Sequence, residues 1–529
     1  MKIHIFCVTI CLLLTGISAK TDVQRSKLSV TIKDETGQQT PVRARLTDSN
    51  GYSTPIPEEA ISVQYGKDDR AQGYSYQPDS SFYVDGQFRV ELKPGTYQLS
   101  LSKGHEYLSQ HHQILINSNK DLTLSYKLQR WINMPERNWY SGDDHIHIRR
   151  SPRDNPSILN WVTAEDIHIG VLLQMGDYWN AYYFAQYGWG KRGVYTLNQR
   201  MLTSGQEDPR THEIGHVIAL GADDFVRFTD NYYLYDHVFD HVHELHGLTG
   251  YAHQGMSYHG YRGMTLDILG KKVDFLEILQ FCVPGGPLLT DYYYLFLDLG
   301  FKLTSSAGSD FPWCGKDQRY GENNPPWNSQ IGNARFYTYI NGDFSFENWK
   351  DNFRAGHTFV SSGPVIDLKI NGKIPGDSIN IHKGEEIIIT AQAFGNPEQI
   401  PLHNLEIIGH SKIIDSVSSR FYDQSVSHLS LEKKLKINHG IWIAARCKAD
   451  PLQYAHTTPI YITVDGDGFH NPETVQKNLD KCEQYLQEIE EAMNSAPQEG
   501  GNIGKYKEPL SDRLAETKII IDELRSKLK

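Results

Sequence analysis

The sequence predicts a multidomain protein in which an α/β region is flanked by two regions of β-strands and followed by helices. Strand-like segments with alternating polar and apolar residues occupy residues 27–130 and 361–466, which predicts two β-sandwich domains. Apolar strand-like runs alternate with helical segments over residues 138–360, a pattern typical of an α/β barrel or a layered sheet. Residues 470–529 are charged and have apolar residues at helical spacing, which predicts a helical hairpin, with a dimerising coiled coil as the alternative.

Length and composition exclude several classes of protein. A chain of 529 residues is too long for one core and indicates several domains. Its 39% hydrophobic and 22% charged residues are typical of a soluble globular protein. The formal net charge of -12 argues against nucleic acid or an anionic membrane as the main partner. No apolar run after the N-terminus is long enough to span a bilayer.

The first 19 residues read as a secretory signal peptide. Lys2 gives a positive start, a mostly apolar stretch follows, and Ala19 ends a pattern of small residues typical of a cleavage site. We therefore expect export, to a periplasm or to the extracellular space. Of the cysteines that remain after cleavage, Cys282 and Cys314 lie near the proposed site, and either a disulfide between them or buried free thiols fits the sequence.

The segment 138–150, NWYSGDDHIHIRR, contains the first candidate metal ligands. His145 and His147 are two residues apart, so on a strand both imidazoles face the same side and can reach one ion. In a chain with 23 histidines such a pair also arises by chance, and further ligands are needed to support a site.

Further candidate ligands follow other strand-like runs of the middle region. They are Glu213 and His216 in the segment THEIGH, His253 after LTGYA, Glu277 within VDFLEIL, and Asp310 after KLTSSAGS. Carboxylates together with histidines suit zinc, manganese or iron. A carboxylate that bridges two ions holds them close enough to share one hydroxide.

The order of these motifs resembles that of the PHP superfamily, and more narrowly its CehA/McbA-like metallohydrolases. The phrases that carry the resemblance are WYSGDDHIH, HEIGHVIALG, TGYAHQG, VDFLEIL, AGSDFP and FRAGHTFVSSGPVIDLKINGKIPGD. The resemblance implies a PHP-type distorted (β/α)7 barrel, flanked here by the two β-sandwiches and the C-terminal hairpin.

The resemblance also implies a set of metal ligands and its chemistry. One metal would be held by His145, His147, Glu213 and Asp310, and Glu213 would bridge to a second metal bound by His216 and His253. The third metal site of many PHP proteins has no equivalent, because Met175–Tyr178 reads MGDY and Phe311 follows Asp310. The resemblance therefore implies two divalent ions.

Other polar residues near these motifs have two readings each. Asp143 and Asp144 are candidates to orient ligand imidazoles or simply to form a turn, and Glu277 is a candidate for the second shell or for a substrate contact. Asp177 and Tyr178 follow an apolar strand and can contact a metal, water or substrate, or serve packing. His237 and His241 have a metal-binding spacing on a helix, but an apolar stripe there favours a solvated face.

These observations predict an exported metal-dependent hydrolase that acts on a small-molecule or glycan-linked substrate. A dinuclear site would activate a water molecule to cleave an ester, carbamate, amide or phosphoester bond, with Asp310 accepting its proton and Glu213 bridging the ions. The alternative is a non-catalytic protein that is stabilised by metal and binds a glycan or another ligand.

Overall fold

A computed structural model gives the architecture of the chain. It describes residues 25–63, 81–180, 184–255, 258–280, 288–311, 330–398, 401–419, 426–450 and 452–528. The predicted signal peptide, residues 1–19, lies outside the described residues, as do Cys282 and Cys314. Within the described part of the chain, no helix is long and apolar enough to cross a membrane.

The N-terminal region consists of two small sheets that share one core. Its strands are β1 (Ser26–Lys33), β2 (Pro41–Asp48), β3 (Phe82–Asp85), β4 (Gln87–Leu92), β5 (Gly95–Ser102), β6 (Gln110–Ile116) and β7 (Leu122–Lys127). One sheet has the order β4-β1-β7 and the other β3-β2-β5-β6. Along β1 buried and more exposed residues alternate, and its buried residues pack with those of the second sheet, such as Val42 and Leu99.

The middle region contains most of the helices and eleven strands. The strands are β8 (Trp139–Ile146), β9 (Ile169–Met175), β10 (Tyr195–Leu197), β11 (Arg200–Glu207), β12 (Arg210–Thr211), β13 (Gly215–Leu220), β14 (Leu248–Tyr251), β15 (Phe275–Leu279), β16 (Thr304–Ala307), β17 (Arg335–Tyr339) and β18 (Thr358–Ser361). The helices are α1 (Asn155–Ala164), α2 (Tyr235–Glu244), α3 (Gly260–Leu269), α4 (Asp291–Asp298) and α5 (Phe346–Arg354). Strands β9 and β13 are buried on both faces, which accounts for their apolar sequences.

The C-terminal region adds nine strands and two long helices. The strands are β19 (Val365–Ile370), β20 (Ser378–Ile381), β21 (Glu386–Phe394), β22 (Leu402–Gly409), β23 (Lys412–Ser418), β24 (His428–Lys436), β25 (Ile441–Ala449), β26 (Gln453–Thr457) and β27 (Ile460–Val464). Strands β19, β21 and β24 form a separate three-stranded sheet. The helices are α6 (Val475–Ser495) and α7 (Lys507–Lys527). Apolar residues of α6 are buried against the body, and the Arg513 guanidinium of α7 pairs with Asp236 and Asp267.

The predicted (β/α)7 barrel flanked by separate sandwiches is wrong. Strands β8–β18 belong to a mixed sheet of 17 strands that continues into the C-terminal region, where β18 pairs with β26. Seven pairings of the described middle-region strands are antiparallel, and the last of them leads out of the region: β10–β11, β11–β13, β12–β13, β13–β14, β17–β8, β17–β18 and β18–β26. An apolar run reveals a buried strand but not its direction or its partner, because both are set by contacts distant in sequence.

Parallel pairs nevertheless form the part of the sheet that carries the candidate site. β8 pairs in parallel with β9 and β9 with β11, while β14 pairs with β15 and β15 with β16. Helices α1, α3 and α4 connect β8 to β9, β14 to β15 and β15 to β16. Since β13 is antiparallel to both β11 and β14, the two parallel groups run in the same direction.

Candidate metal centre

Six metal-competent side chains meet at one edge of the large sheet. The carboxyl ends of parallel strands lie at the same edge, together with the start of the antiparallel β13. The six residues, here called the metal cluster, are His145, His147, Glu207, His216, His253 and Asp310. All six are buried.

Local backbone structure aims these side chains into one space. His145 is in β8, and Ile146 between the two histidines packs into a different apolar cluster, so His145 and His147 face the same side. Glu207 is the last residue of β11 and His216 the second of β13. His253 and Asp310 follow β14 and β16, and both have a positive φ, 54° and 51°.

The carboxylate of Glu207 lies between two sets of histidines. Its Oε2 is 3.3 Å from Nε2 of His147 and 3.6 Å from Nε2 of His145. Its Oε1 is 2.9 Å from Nδ1 of His216. The two oxygens of one carboxylate therefore face different groups of imidazoles.

Asp310 has the same arrangement on the other side of the cluster. Its Oδ1 is 3.2 Å from Nε2 of His147 and 3.3 Å from Nε2 of His145, whereas its Oδ2 is 3.3 Å from Nε2 of His253. One half of the cluster thus consists of the His145–His147 pair and one oxygen of each carboxylate. The other half consists of His216, His253 and the remaining two oxygens.

These separations fit the first coordination shell of a metal ion. Two ligand atoms, each about 2.1 Å from a tetrahedral ion, are about 3.4 Å apart. Three triads of the cluster have all their ligand atoms within 4.8 Å of one another: His145–His147–Glu207, His145–His253–Asp310 and Glu207–His216–His253. Nε2 of His145 is buried without a hydrogen-bond partner in the described part of the chain. The buried histidine–carboxylate cluster can therefore hold a metal ion.

The charge states within the cluster suit a cation. Burial would lower the pKa of His145, but the carboxylates of Asp310 and Glu277 raise it well above the usual range. Burial opposes ionisation of Glu207, yet Arg210 and the neighbouring histidines hold its pKa well below the usual range. Burial and then Arg210 lower the pKa of His216 to about 3. Ionised Glu207 and neutral His216 are in the forms that bind metals, whereas His145 has to give up its proton when a metal ion binds.

Glu277 orients two of the histidines from behind. Its Oε1 is 3.1 Å from Nδ1 of His145, and its Oε2 accepts a hydrogen bond of 2.7 Å from the backbone N–H of His253. A carboxylate on Nδ1 fixes the tautomer that leaves Nε2 for a metal. A Cβ atom at Gly308 would lie 2.4 Å from Asp144 Oδ1 and 2.8 Å from Glu277 Oε1, so only glycine allows this close packing.

Asp143 and Asp144 support the strand end and do not face the cluster as ligands. Asp143 accepts hydrogen bonds from the backbone N–H groups of His145, Ser309 and Gly332, at 3.1, 3.0 and 2.8 Å. Burial raises the pKa of Asp143 to about 6. Asp144 accepts a hydrogen bond from the Ser306 hydroxyl. Asp143 therefore ties the segments before His145 and Asp310 together.

The structure places Glu207, rather than Glu213, among the histidines of the metal cluster. Glu213 lies outside the three triads, and its Oε2 accepts a hydrogen bond of 2.7 Å from the Tyr233 hydroxyl. It belongs to the turn between β12 and β13, which carries its side chain away from the cluster. The missed signal was the segment LTSGQE, a strand that ends in a carboxylate but contains small polar residues in place of an apolar run.

Asp177 and Tyr178 also lie outside the triads. The Asp177 carboxylate accepts hydrogen bonds from the backbone N–H groups of Trp179 and Asn180, at 2.9 and 2.8 Å, as in a turn. The ring of Tyr178 packs edge-on against Trp179 and Tyr232. Both residues shape the loop after β9.

The histidines of α2 do not form a metal site in the described residues. Nδ1 of His237 is 3.3 Å from Asn231, and Nδ1 of His241 is 2.9 Å from Glu244 in the following turn. The buried residues Val238, Phe239 and Val242 form the opposite face of the helix. These histidines occupy its solvated face.

Comparisons with known proteins identify no family. No protein-family model matches the chain, and no curated protein matches it. Among solved structures, the major pilin subunit of Bacillus cereus aligns with 83% of this chain and 70% of its own, at 6% identity and a TM-score of 0.24. Superoxide reductase (neelaredoxin) from Ignicoccus hospitalis aligns with 19% of this chain and 81% of its own, at 9% identity and a TM-score of 0.14. Likenesses at these scores carry no conclusion about fold or function.

Proposed function

We propose that the protein is an exported metal-dependent hydrolase whose metal cluster holds two divalent ions, zinc, manganese or iron. The observation that carries this proposal is the position of Glu207 and Asp310, each with its two oxygens on different groups of histidines. One ion would be held by His145, His147 and one oxygen of each carboxylate. The second would be held by His216, His253 and the other oxygens. The motif order shared with CehA/McbA-like metallohydrolases supports the same class of reaction.

The ions would supply Lewis acidity and a water molecule acidified toward a pKa of about 7. The chain's own residues supply position and proton transfer. Oδ2 of Asp310 is 3.4 Å from the amide Nε2 of Gln280 and lies in the half of the cluster that contains His253. Asp310 is 8% exposed, so its carboxylate is placed to accept the proton of an attacking water. The bond cleaved is an ester, carbamate, amide or phosphoester bond.

Metal analysis followed by a substrate screen tests this proposal. The full mature chain is loaded with zinc, manganese or iron, dialysed, and its metal content measured by elemental analysis. The loaded protein is then assayed on carboxyl esters, carbamates, amides and phosphoesters. We expect close to two ions per chain and metal-dependent turnover, with both lost in His147→Ala. Metal-free wild-type protein, or loaded protein without turnover on any panel, would contradict the proposal.

A further inference from the structure

A guanidinium group lies beside the metal cluster and has hydrogen-bonding capacity that the fold does not use. Nε of Arg210 is 3.0 Å from Oε1 of Glu207. Arg210 pairs directly with His216 across the β12–β13 ladder. Directly opposite residues of an antiparallel pair project to the same face, so the Arg210 side chain lies on the face that carries His216.

The two Nη atoms of Arg210 make no hydrogen bond within the described part of the chain. The side chain is 22% exposed, while that of Glu207 is only 2% exposed. Arg227, in the connection between β13 and α2, is by contrast a structural guanidinium. Its Nη1 pairs with Asp208, and its Nη2 donates to the carbonyl oxygens of Asp177 and Tyr178. Both Nη atoms of Arg227 therefore have partners among the described residues, and the Nη atoms of Arg210 do not.

Accessible aromatic and imidazole groups border this side of the cluster. The ring of Tyr258 stacks on His216 with 4.2 Å between centroids and is 43% exposed. The exposed ring of His212 lies 6.0 Å from that of Tyr258. His216 beneath Tyr258 is buried, so the 22% exposed side chain of Arg210 is the accessible group next to Glu207 on the side of β12 and β13.

The charge balance of a loaded cluster favours an anion. Two divalent ions and one guanidinium would outweigh the carboxylates of Glu207, Asp310 and Glu277. A guanidinium fork binds carboxylate or phosphoryl oxygens in pairs, which a neutral ester cannot match. An oxyanion next to the scissile bond would be attracted by the positive charge of the loaded cluster and bound by the paired N–H groups of the guanidinium.

We infer that Arg210 selects substrates that carry an anionic carboxylate or phosphoryl group next to the bond to be cleaved. This inference rests on the proposed hydrolase function. It makes Arg210 a specificity-determining residue, with its Nη atoms binding two oxygens of the substrate while Nε stays on Glu207.

Anion binding to the metal-loaded protein tests the role of Arg210 without turnover. Inorganic phosphate and acetate are titrated calorimetrically into wild-type protein and into Arg210→Met, Arg210→Lys and Arg262→Met. Arg262 is the matched control because its Nε pairs with Glu488, and neither residue belongs to the metal cluster. We expect a roughly 10- to 100-fold weaker affinity in Arg210→Met, a smaller loss in Arg210→Lys, and no change in the control. Phosphate and acetate distinguish a phosphoryl from a carboxylate substrate.

Metal content separates this inference from the proposed function. Equal anion affinities in wild type and Arg210→Met, with two ions bound in both, overturn the role of Arg210 alone. Failure of the wild-type protein to take up metal overturns the hydrolase proposal and this inference with it. If the protein hydrolyses both kinds of ester, kcat/KM should fall more in Arg210→Met for the anionic ester than for its neutral counterpart.

Discussion

Two buried groups of charged residues lie at opposite ends of the same parallel strands, and β11 connects them. This strand begins at Arg200 and ends at Glu207 in the metal cluster. Arg200 belongs to a second group, here called the junction network, with Arg130, Glu106 and Asp166. Asp166 Oδ1 is 2.7 Å from Arg200 Nη2, and Asp166 Oδ2 is 3.0 Å from Arg130 Nη1.

The two groups differ in what neutralises their carboxylates. In the junction network the cations are guanidinium groups of the chain, and the Arg130 Nη1 atom also lies 2.6 Å from Glu106. In the metal cluster most partners are imidazoles, which are neutral ligands in their metal-binding form. A network with its own cations is complete and stabilises the fold. A cluster of carboxylates and imidazoles can be completed by a cation from solution.

Removing a carboxylate from the junction network should have the largest effect on stability. Asp166→Ala removes the carboxylate that pairs with Arg200 and one of those that pair with Arg130, and we expect the free energy of unfolding to fall by about 3–5 kcal/mol. Urea denaturation measures this change. Asp480→Ala, which removes an exposed partner of Arg525, is the control and should change stability by about 1 kcal/mol or less. The folded Asp166→Ala protein should bind as much metal as wild type. A loss of metal would contradict the separation of the junction network from the metal cluster.

Removing the bridging carboxylate should abolish metal binding and leave the fold intact. We expect Glu207→Gln to weaken metal affinity by more than about 100-fold, exceeding the effect typical of residues behind the ligands. Glu213→Gln is the matched control from the neighbouring turn and should leave affinity unchanged. Competition with a chelator of known affinity gives both values. If both substitutions weaken metal affinity equally, Glu207 is not distinguished from Glu213 as a ligand and the assignment fails.

The junction network should also show a pH dependence that the metal cluster does not cause. Burial, and then the charge of Asp166, raises the pKa of Glu106 to about 7, above the value of about 4.3 of a free glutamate. The native state therefore holds a proton that the unfolded state has lost between these values, and stability falls as pH rises from about 4.5 to 7. Relative to Glu106→Gln, wild-type protein should lose on the order of 2 kcal/mol over this range. Denaturation at each pH gives the unfolding free energy of both proteins. A difference between them that does not change with pH would contradict Glu106 as the origin of the pH dependence.

Loosening the support of a ligand should have the smallest effect. Glu277→Gln keeps the size of the side chain but weakens its hold on Nδ1 of His145, so we expect a roughly tenfold loss of metal affinity. The number of ions bound at saturation should stay the same, which distinguishes a supporting residue from a ligand. A reduced stoichiometry would instead make Glu277 a ligand.

Sequence reasoning identified five of the six cluster residues and missed one for a definable reason. His145, His147, His216, His253 and Asp310 all lie within or next to runs that the sequence marks as strands, a pattern that is visible locally. Glu207 ends a strand rich in small polar residues, and the resemblance to a known family drew attention to Glu213 three residues before His216. A strand buried on both faces can contain such residues when their partners lie in neighbouring strands, as Ser204 does beside Arg150.

The sequence alone determined where strands and helices form and which residue types are available to bind a metal, because hydrophobic period and side-chain chemistry are local properties. The tertiary structure decided the directions of β13 and β17, the joining of the middle and C-terminal regions through β18 and β26, and the choice of Glu207 over Glu213. Strand pairing is a contact between residues far apart in the chain. Only that pairing determines which strand ends share an edge of the sheet, and therefore which carboxylate meets the histidines.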